Sequence, residues 1–387
     1  MTTSGPTRAR LSPLDAVHRA AGASFTDFAG WQMPVRYSSD LAEHKAVREH
    51  AGLFDLSHMG EIFVVGAEAG AALDHALAGK LSAIAEGQAK YSLLLAEDGG
   101  IIDDLVVYRT GDDRFMVVAN AANRETVAAE LTARADGFDA FVSDESDDIA
   151  LIALQGPDAL AVLLETEGFG VDGPGNDDED FDRTLTELKY YRAFAATFDG
   201  EPVLVARTGY TGEDGFELYL APERAARLWE ALRETGGPRV VPCGLASRDT
   251  LRLEAGMPLY GHELTRDTLP VQAGLGRVVA LSKDGDFVGR AAVERGPGED
   301  APVLVGLTAE GRRAPRAEYE IYDGPGEDAV RVGVVTSGAL SPTLGHPIAL
   351  AYVAPGAAEP GTTLHVDVRG TRVPAAVVAP PFYRRSA

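Results

Sequence analysis

The sequence predicts an α+β protein built on largely antiparallel sheets and followed by a small all-β domain. Three observations carry this reading. Strand-like and helix-like patterns mix without regular alternation up to about residue 295, a short linker RGPGEDAP interrupts at 295–302, and beyond it only short strand patterns occur. Irregular mixing of this kind belongs to α+β folds, whereas a parallel sheet asks for strict strand–helix alternation. With 387 residues, 45% of them hydrophobic, the chain is long enough for two or three domains with real cores.

In chain order, the predicted strands before the linker are EIFVVG (61–66), YSLLL (91–95), IIDDLVVY (101–108), RFMVVA (114–119), IALIAL (149–154), PVLVAR (202–207) and FELYL (216–220). Each is near the ordinary strand length and rich in β-branched or aromatic residues. Helical spacing of apolar residues marks 69–79, 122–135, 157–168 and 221–236, the second opening on Asn123 as an N-cap. The polar, acidic, glycine-containing stretch FGVDGPGNDDEDFD (169–182) reads as a loop. After the linker come VLVGLT (303–308), EYEIYD (318–323), VRVGVVT (330–336), IALAYV (348–353), TTLHVDV (362–368) and RVPAAVVA (372–379), which make a barrel or a sandwich. The division expected is therefore 1–295 and 302–387.

Composition excludes several classes of function. Cys243 is the only cysteine, so intrachain disulfides and cysteine-built zinc sites are ruled out, and the scattered histidines lack metal-ligand spacing. No metal is expected. The formal net charge is −24, and lysine is confined to Lys45, Lys80, Lys90, Lys189 and Lys283. With no basic cluster to neutralise phosphates, a nucleic-acid partner is not expected. Self-repulsion of that size is relieved by molar salt, where the Debye length falls to about 3 Å, so a high-salt cytoplasm is expected. No apolar run is long enough to span a bilayer and the start lacks the apolar core of a secretory signal, which points to a cytoplasmic protein.

Three polar clusters sit in apolar frames. In GGIIDDLVVYR (99–109) strand parity puts Ile102, Asp104, Val106 and Tyr108 on one face and Ile101, Asp103, Leu105 and Val107 on the other. Both faces are mostly apolar, so the aspartates are either solvated at a strand end or kept for a purpose. RTGYTGEDGFEL (207–218) reads as a hairpin with a glycine-built loop, and Glu217 shares a strand face with Tyr219, where it could be a solvated carboxylate. PCGLASRDTLRLEAGMPLYG (242–261) reads as a helix from Leu245 to Ala255 ended by Gly256, with Arg248 and Arg252 on one face and Asp249 as a surface partner. Carboxylates and arginine without a metal, thiol or nucleotide loop suit a flat, hydrogen-bonding organic ligand with an aminopyrimidine-type edge, such as a pterin.

Taken together the clusters resemble the aminomethyltransferase family, the T-protein of the glycine cleavage system. The resemblance runs through FAGWQMPVRY (28–37), EHKAVREHAGLFDLSHMGE (43–61), KYSLLLAEDGGIIDDLVVYR (90–109), VVANAANRE (117–125), ALQGPDA (153–159), RTGYTGEDGFEL (207–218), GLASRDTLRLEAGMPLYG (244–261), TSGALSPTLGHPIALAYV (336–353) and PPFYR (380–384). It implies a multi-lobed fold whose first two lobes hold tetrahydrofolate and whose C-terminal barrel closes over it. It implies that the catalytic aspartate is the second of the pair, Asp104, a choice parity does not make. It also implies that Glu217 holds the pterin edge, that Arg248 contacts folate, and that Met59, Tyr91, Asn120, Tyr210 and Tyr383 line the folate pocket. The implied reaction moves the methylene of an S-aminomethyl-dihydrolipoyl group, carried by the lipoylated H-protein, to tetrahydrofolate with release of ammonia.

Arg277 and His346 depart from the family, which often has tryptophan and lysine there, and both changes bear on the surface or a partner contact. Two rivals use a similar fold. A folate-dependent demethylase would share the folate site, but the GGIIDD and RTGYTGEDGFEL segments match the glycine cleavage branch. The folate-binding accessory protein of iron–sulfur assembly carries a KGCYxGQE motif, which the VPCGLAS surroundings of Cys243 do not match.

Overall fold

The computed structural model of the chain describes residues 9–171 and 178–385. These fall into two compact units, each drawn from separated stretches of sequence. The first takes residues up to Gly60, Glu145–Gly209 and Glu213–Arg248, and the second takes Glu61–Asp144, Tyr210–Gly212 and Asp249 onward.

The first unit is built on a seven-stranded sheet in the order Phe169–Gly170, Ala193–Phe198, Glu201–Ala206, Gly215–Leu220, Ala150–Gln155, Ala51–Asp55 and Val240–Pro242. All pairings are antiparallel except the last. Every residue of Ala150–Gln155 is buried, which explains why this central strand reads as a continuous apolar run. Helices Ala159–Glu165, Asp178–Glu187 and Pro222–Gly236 bring Leu163, Phe181, Leu185, Leu228, Trp229 and Leu232 into the same core. The strand Ala51–Asp55 escapes a pattern search because Gly52 interrupts it. A Cβ there would come within 2.3 Å of Val47 and 2.8 Å of the Cys243 sulfur, so the glycine permits close packing.

The acidic stretch 169–182 is only partly the loop expected. Residues 172–177 lie outside those described, but Phe169–Gly170 is a strand and Asp178–Glu187 a helix. Phe181 and Leu185, four apart, supply its buried stripe, and Phe181 stacks on Phe169 at 4.9 Å. Two apolar residues among so many carboxylates are a weak signal.

The second unit holds a five-stranded sheet ordered Ala89–Leu95, Ile101–Gly111, Arg114–Ala119, Gly60–Val65 and Phe141–Asp144, with helices Ala69–Ala76 and Arg124–Arg134 packed on its apolar face. It also holds the C-terminal strands, which form a closed barrel: Val303–Ala309, Pro347–Val353, Arg331–Leu340, Glu320–Tyr322, Thr363–Val368 and Thr371–Val378, the last pairing back to the first. Alternate residues such as Val305, Leu307, Val335, Leu364 and Val366 fill the interior. Of the two arrangements open from the sequence, this is the barrel. No described helix is long and apolar enough to cross a membrane.

Helix Leu245–Glu254 begins in the first unit and ends in the second. Gly256 closes it at φ 68°, as expected. Arg252 is not the surface residue that its spacing suggested. It is 1% exposed, donates from Nη1 to Glu263 at 3.0 Å and from Nη2 to Ser337 at 2.8 Å, and pairs with Asp249 at 2.7 Å. Two residues on, the buried Glu254 accepts from the Thr343 N–H and hydroxyl, while its backbone carbonyl accepts from the N–H groups of Phe382 and Tyr383. Arg252→Met should therefore leave the buried Glu263 without its counter-charge, met only by the Leu259 N–H, and cost about 3–5 kcal/mol. Chemical denaturation checks this, and a loss below about 1 kcal/mol would show that the pair does not hold the helix to the barrel strand.

Candidate active site

The aspartate pair owes its setting to the glycines before it. Gly99 adopts φ 86°, and a Cβ on Gly100 would lie 1.8 Å from the Arg266 carbonyl oxygen, so the segment 264–268 closes directly on the strand and accepts the Ile101 N–H at Thr265. Leu94 then pairs with Asp103 and Leu95 with Ile101, leaving Ile102 as an extra residue in a bulge. The bulge corrects the simple parity grouping: Ile102 joins the helix-covered core on the side of Asp103, Leu105 and Val107, while Ile101 joins Leu93 and Tyr91 on the side of Asp104.

The two carboxylates thus meet different surroundings. Asp104 is half-buried and accepts from the Tyr91 hydroxyl at 3.0 Å and from Asn120 Nδ2 at 2.9 Å. Tyr91 reaches it diagonally across the strand pair, and Asn120 ends the strand Arg114–Ala119 on its other side. Burial pushes the Asp104 pKa up to about 6 against the pull of these two donors. Asp103 is fully buried; burial first, then the neighbouring Asp104 charge, push it up to about 7 against the bonds from Asn123 and Asn120. Tyr260 is close enough to feel both carboxylates, and burial together with their charges raises its pKa. Neither aspartate is a solvated strand end.

Within the first unit, the hairpin loop is cross-braced. Arg207 grips Asp214 through two bonds of 3.0 and 2.6 Å, Arg48 pairs with Glu213 at 2.9 Å with both side chains nearly buried, and Gln155 donates to the Thr208 carbonyl at 3.0 Å. A Cβ on Gly209 would strike Gln155 at 2.0 Å. Glu217 lies between Ala153 and Ala206 on the neighbouring strands, half-buried, and accepts the Thr208 hydroxyl at 2.5 Å. Its face-mate Tyr219 is 5% exposed, so this is no solvent-facing side of the sheet. Tyr210, grouped with the second unit, donates its hydroxyl to the Pro258 carbonyl.

Arg248 stands one turn into a helix whose start is pinned by the buried Glu43, which accepts from Gly244 at 2.9 Å and from Tyr37 and Ser38 at 2.8 and 2.9 Å. The adjoining Met59 is half-buried and follows His58, whose pKa burial pushes down to about 4, with Asp55 opposing and Arg248 adding to the shift. Asp55 anchors that turn by accepting from the Ser57 N–H at 2.9 Å and bonding His18 at 2.7 Å, His18 in turn meeting the Tyr37 hydroxyl at 2.8 Å. Burial would raise the Asp55 pKa, but the bonds from His18, Ser12 and Ser57 outweigh it and hold it below the usual range. Tyr383 is half-buried beside the helix end, tied by its N–H to Glu254.

Of the residues singled out in the sequence, Asp104, Tyr91 and Asn120 form one hydrogen-bonded group. Glu217 with Thr208, and Arg248 near His58, form others. Sequence reasoning missed Asn123, which donates to Asp103 at 2.7 Å, and the carboxylates Glu43, Asp55 and Glu254 that fix the surrounding loops. Asp55 and Glu254 carry the signal of an acidic residue with apolar neighbours, whereas Glu43, in LAEHK, and Asn123, placed like a helix cap, carry none. Among the described residues no group of three or more His, Cys, Asp or Glu could hold a metal ion. Cys243 is buried, and burial, then the Glu43 charge, push its thiol well above the ordinary range.

Comparison with known proteins adds the following. Residues 14–283 match the family model described as GCVT N-terminal domain, and residues 303–384 match the glycine cleavage T-protein C-terminal barrel domain. A protein of Cutibacterium acnes named aminomethyltransferase is 60% identical over 380 residues, covering 98% of this chain and 100% of its own. One of the same name from Streptomyces coelicolor is 53% identical over 98% of this chain and 99% of its own. The crystal structure of the glycine cleavage system aminomethyltransferase T from Bartonella henselae superposes with a TM-score of 0.85 at 38% identity, over 97% of this chain and 98% of that one.

The raised Asp104 pKa carries a stability signature. Because the folded pKa lies above the unfolded one, the wild-type protein loses stability as pH rises from about 4 to about 6, a loss of order 2 kcal/mol. Asp104→Asn removes that group and the charge that helps raise Asp103, so its stability relative to wild type should climb from about pH 4 to about pH 7. Denaturation at pH 4, 5, 6 and 7 checks this; a difference that stays flat would mean Asp104 titrates as an ordinary solvated carboxylate.

Proposed function

The chain belongs to the glycine cleavage T-protein family, the tetrahydrofolate-dependent aminomethyltransferases, and we propose on that premise that Asp104 is its catalytic residue. The transferred carbon leaves the sulfur and the nitrogen of an S-aminomethyl-dihydrolipoyl group and gains bonds to two folate nitrogens. The two N–H protons of folate end on the lipoyl thiol and on ammonia, giving 5,10-methylenetetrahydrofolate. A carboxylate beside the reacting amine can both accept its proton and balance positive charge near the carbon in flight.

The observation that carries this reading is the donor set on Asp104. Tyr91 and Asn120 fix its orientation, and a pKa of about 6 leaves it ionised at neutral pH yet basic enough to take a proton. The inert thiol of Cys243 supports a sulfur supplied from outside. The partners proposed are tetrahydrofolate and the lipoylated H-protein, with the lipoyl group brought by that carrier. Glu217, oriented by Thr208, is proposed to accept the N–H groups of the pterin edge, and Arg248 to contact folate. Met59, Tyr91, Asn120, Tyr210 and Tyr383 are proposed to line its pocket, the folate-binding region being residues 1–295 and the barrel domain 302–387. Most of the rate gain then comes from holding two large substrates in register, with no covalent intermediate on the protein. The charge of −24 supports a cytoplasm of high ionic strength as its setting.

Ammonia release from an aminomethylated lipoyl carrier, dependent on tetrahydrofolate and run in molar KCl, tests the activity. Asp104→Asn should cost about 10²–10⁴ in rate while folate still binds. An undiminished rate would remove Asp104 from catalysis. Glu217→Gln replaces an acceptor with a group that is half donor, and should weaken folate binding about ten- to a hundredfold by fluorescence titration. An unchanged dissociation constant would take Glu217 out of the site. On dialysis to about 0.1 M salt, where the Debye length reaches about 10 Å, circular dichroism and activity should decline together; full retention of both would contradict the high-salt setting.

A further inference from the structure

The buried partner of the catalytic carboxylate has no task in the chemistry above, and its surroundings suggest one. Asp103 is 0% exposed, and its two oxygens accept three donors: Asn120 Nδ2 at 2.9 Å and Asn123 Nδ2 at 2.7 Å on Oδ1, and the Asn120 backbone N–H at 3.0 Å on Oδ2. The same Asn120 Nδ2 donates to Asp104 Oδ1 at 2.9 Å and contacts the Asp104 carbonyl at 3.1 Å. One amide group is strung between the two carboxylates. Resting on the reading of Asp104 as catalytic, we propose that Asp103 is a positioning residue: it clamps Asn120 so that its side-chain amide stays aimed at the catalytic carboxylate.

Three features support the clamp. Asn123 stands at the N-cap position of helix Arg124–Arg134 but makes no side-chain cap bond, its amide being turned to Asp103 instead. A cap bond of that type ordinarily stabilises a helix, and this helix forgoes it. The turn Ala121–Asn123 closes with a bond from the Asn123 N–H to the Asn120 carbonyl, so one carboxylate grips both ends of a single turn. Three donors converge on Asp103 and its two oxygens accept all of them, which is what makes burial of an ionisable group beside Asp104 tolerable. Asp103 lies on the opposite strand face from Asp104, and the hydrogen bonds that link the two run through Asn120.

The test separates positioning from simple structural support by reading rate and folate affinity independently. In single-turnover assays at saturating folate, Asp103→Asn should slow transfer about tenfold, as expected for a displaced catalytic group, while the folate dissociation constant stays within about threefold of wild type. Asn123→Ala, which removes one donor and leaves the carboxylate in place, should show the same split with a smaller loss, about threefold or more. A wild-type rate in Asp103→Asn, or rate and folate affinity falling by the same factor in both variants, would overturn the inference. Should Asp103→Asn fail to fold, Asn123→Ala decides alone, and a wild-type rate in it counts against the clamp. A wild-type protein that releases no ammonia would instead overturn the assigned activity, and the inference with it.

Discussion

A carboxylate taken out of water must be met by donors, and this requirement shapes the parts of the molecule where the candidate chemistry lies. Glu43 gathers three backbone N–H groups and so fixes the start of the helix that carries Arg248. Asp55 holds the turn before Met59, and Glu254 ties the barrel segment around Thr343 to the helix end. Asp103 does the same for the turn that presents Asn120. In each case a buried acidic side chain replaces a regular ladder as the organiser of loop backbone, and hydrogen bonds to charged groups are worth more than neutral ones.

This requirement also accounts for what the sequence disclosed and what it withheld. Periodic patterns located the long strands and the barrel, because Val, Ile and Leu at alternate positions are legible without tertiary knowledge. Two of the elements that escaped show a single contact overriding the local pattern. Gly52 breaks a strand to admit Val47 and Cys243, and Phe181 with Leu185 makes a helix out of a stretch that reads as loop. Arg252 showed the spacing of a surface ion pair, yet it is buried because Glu263 and Ser337 approach it from distant sequence.

The candidate site was legible in its residue types but not in its geometry. The aspartate pair, Glu217 and Arg248 stood out as polar groups in apolar frames, and only the family resemblance singled out Asp104 and assigned the others a role. Which aspartate faces Tyr91 depended on the strand register that sets Tyr91 opposite Val106 and Leu93 opposite Asp104, while the bulge at Ile102 redistributes Ile101 and Ile102 between the faces. Asn123 looked like a helix cap and is a ligand of Asp103 instead. Local preference and tertiary demand disagree at that residue, and such disagreements gather where a structure is committed to function.

Burial tunes the Asp104 carboxylate, and Tyr91 and Asn120 hold it. A carbon-detected NMR titration of the aspartate side-chain carboxyl signals, in wild type and in Asp104→Asn, reads that tuning. The tuned group should appear as a titration with a midpoint near 6 that vanishes in Asp104→Asn. A wild-type protein in which every aspartate signal titrates near 4, the range of a solvated side chain, would contradict it.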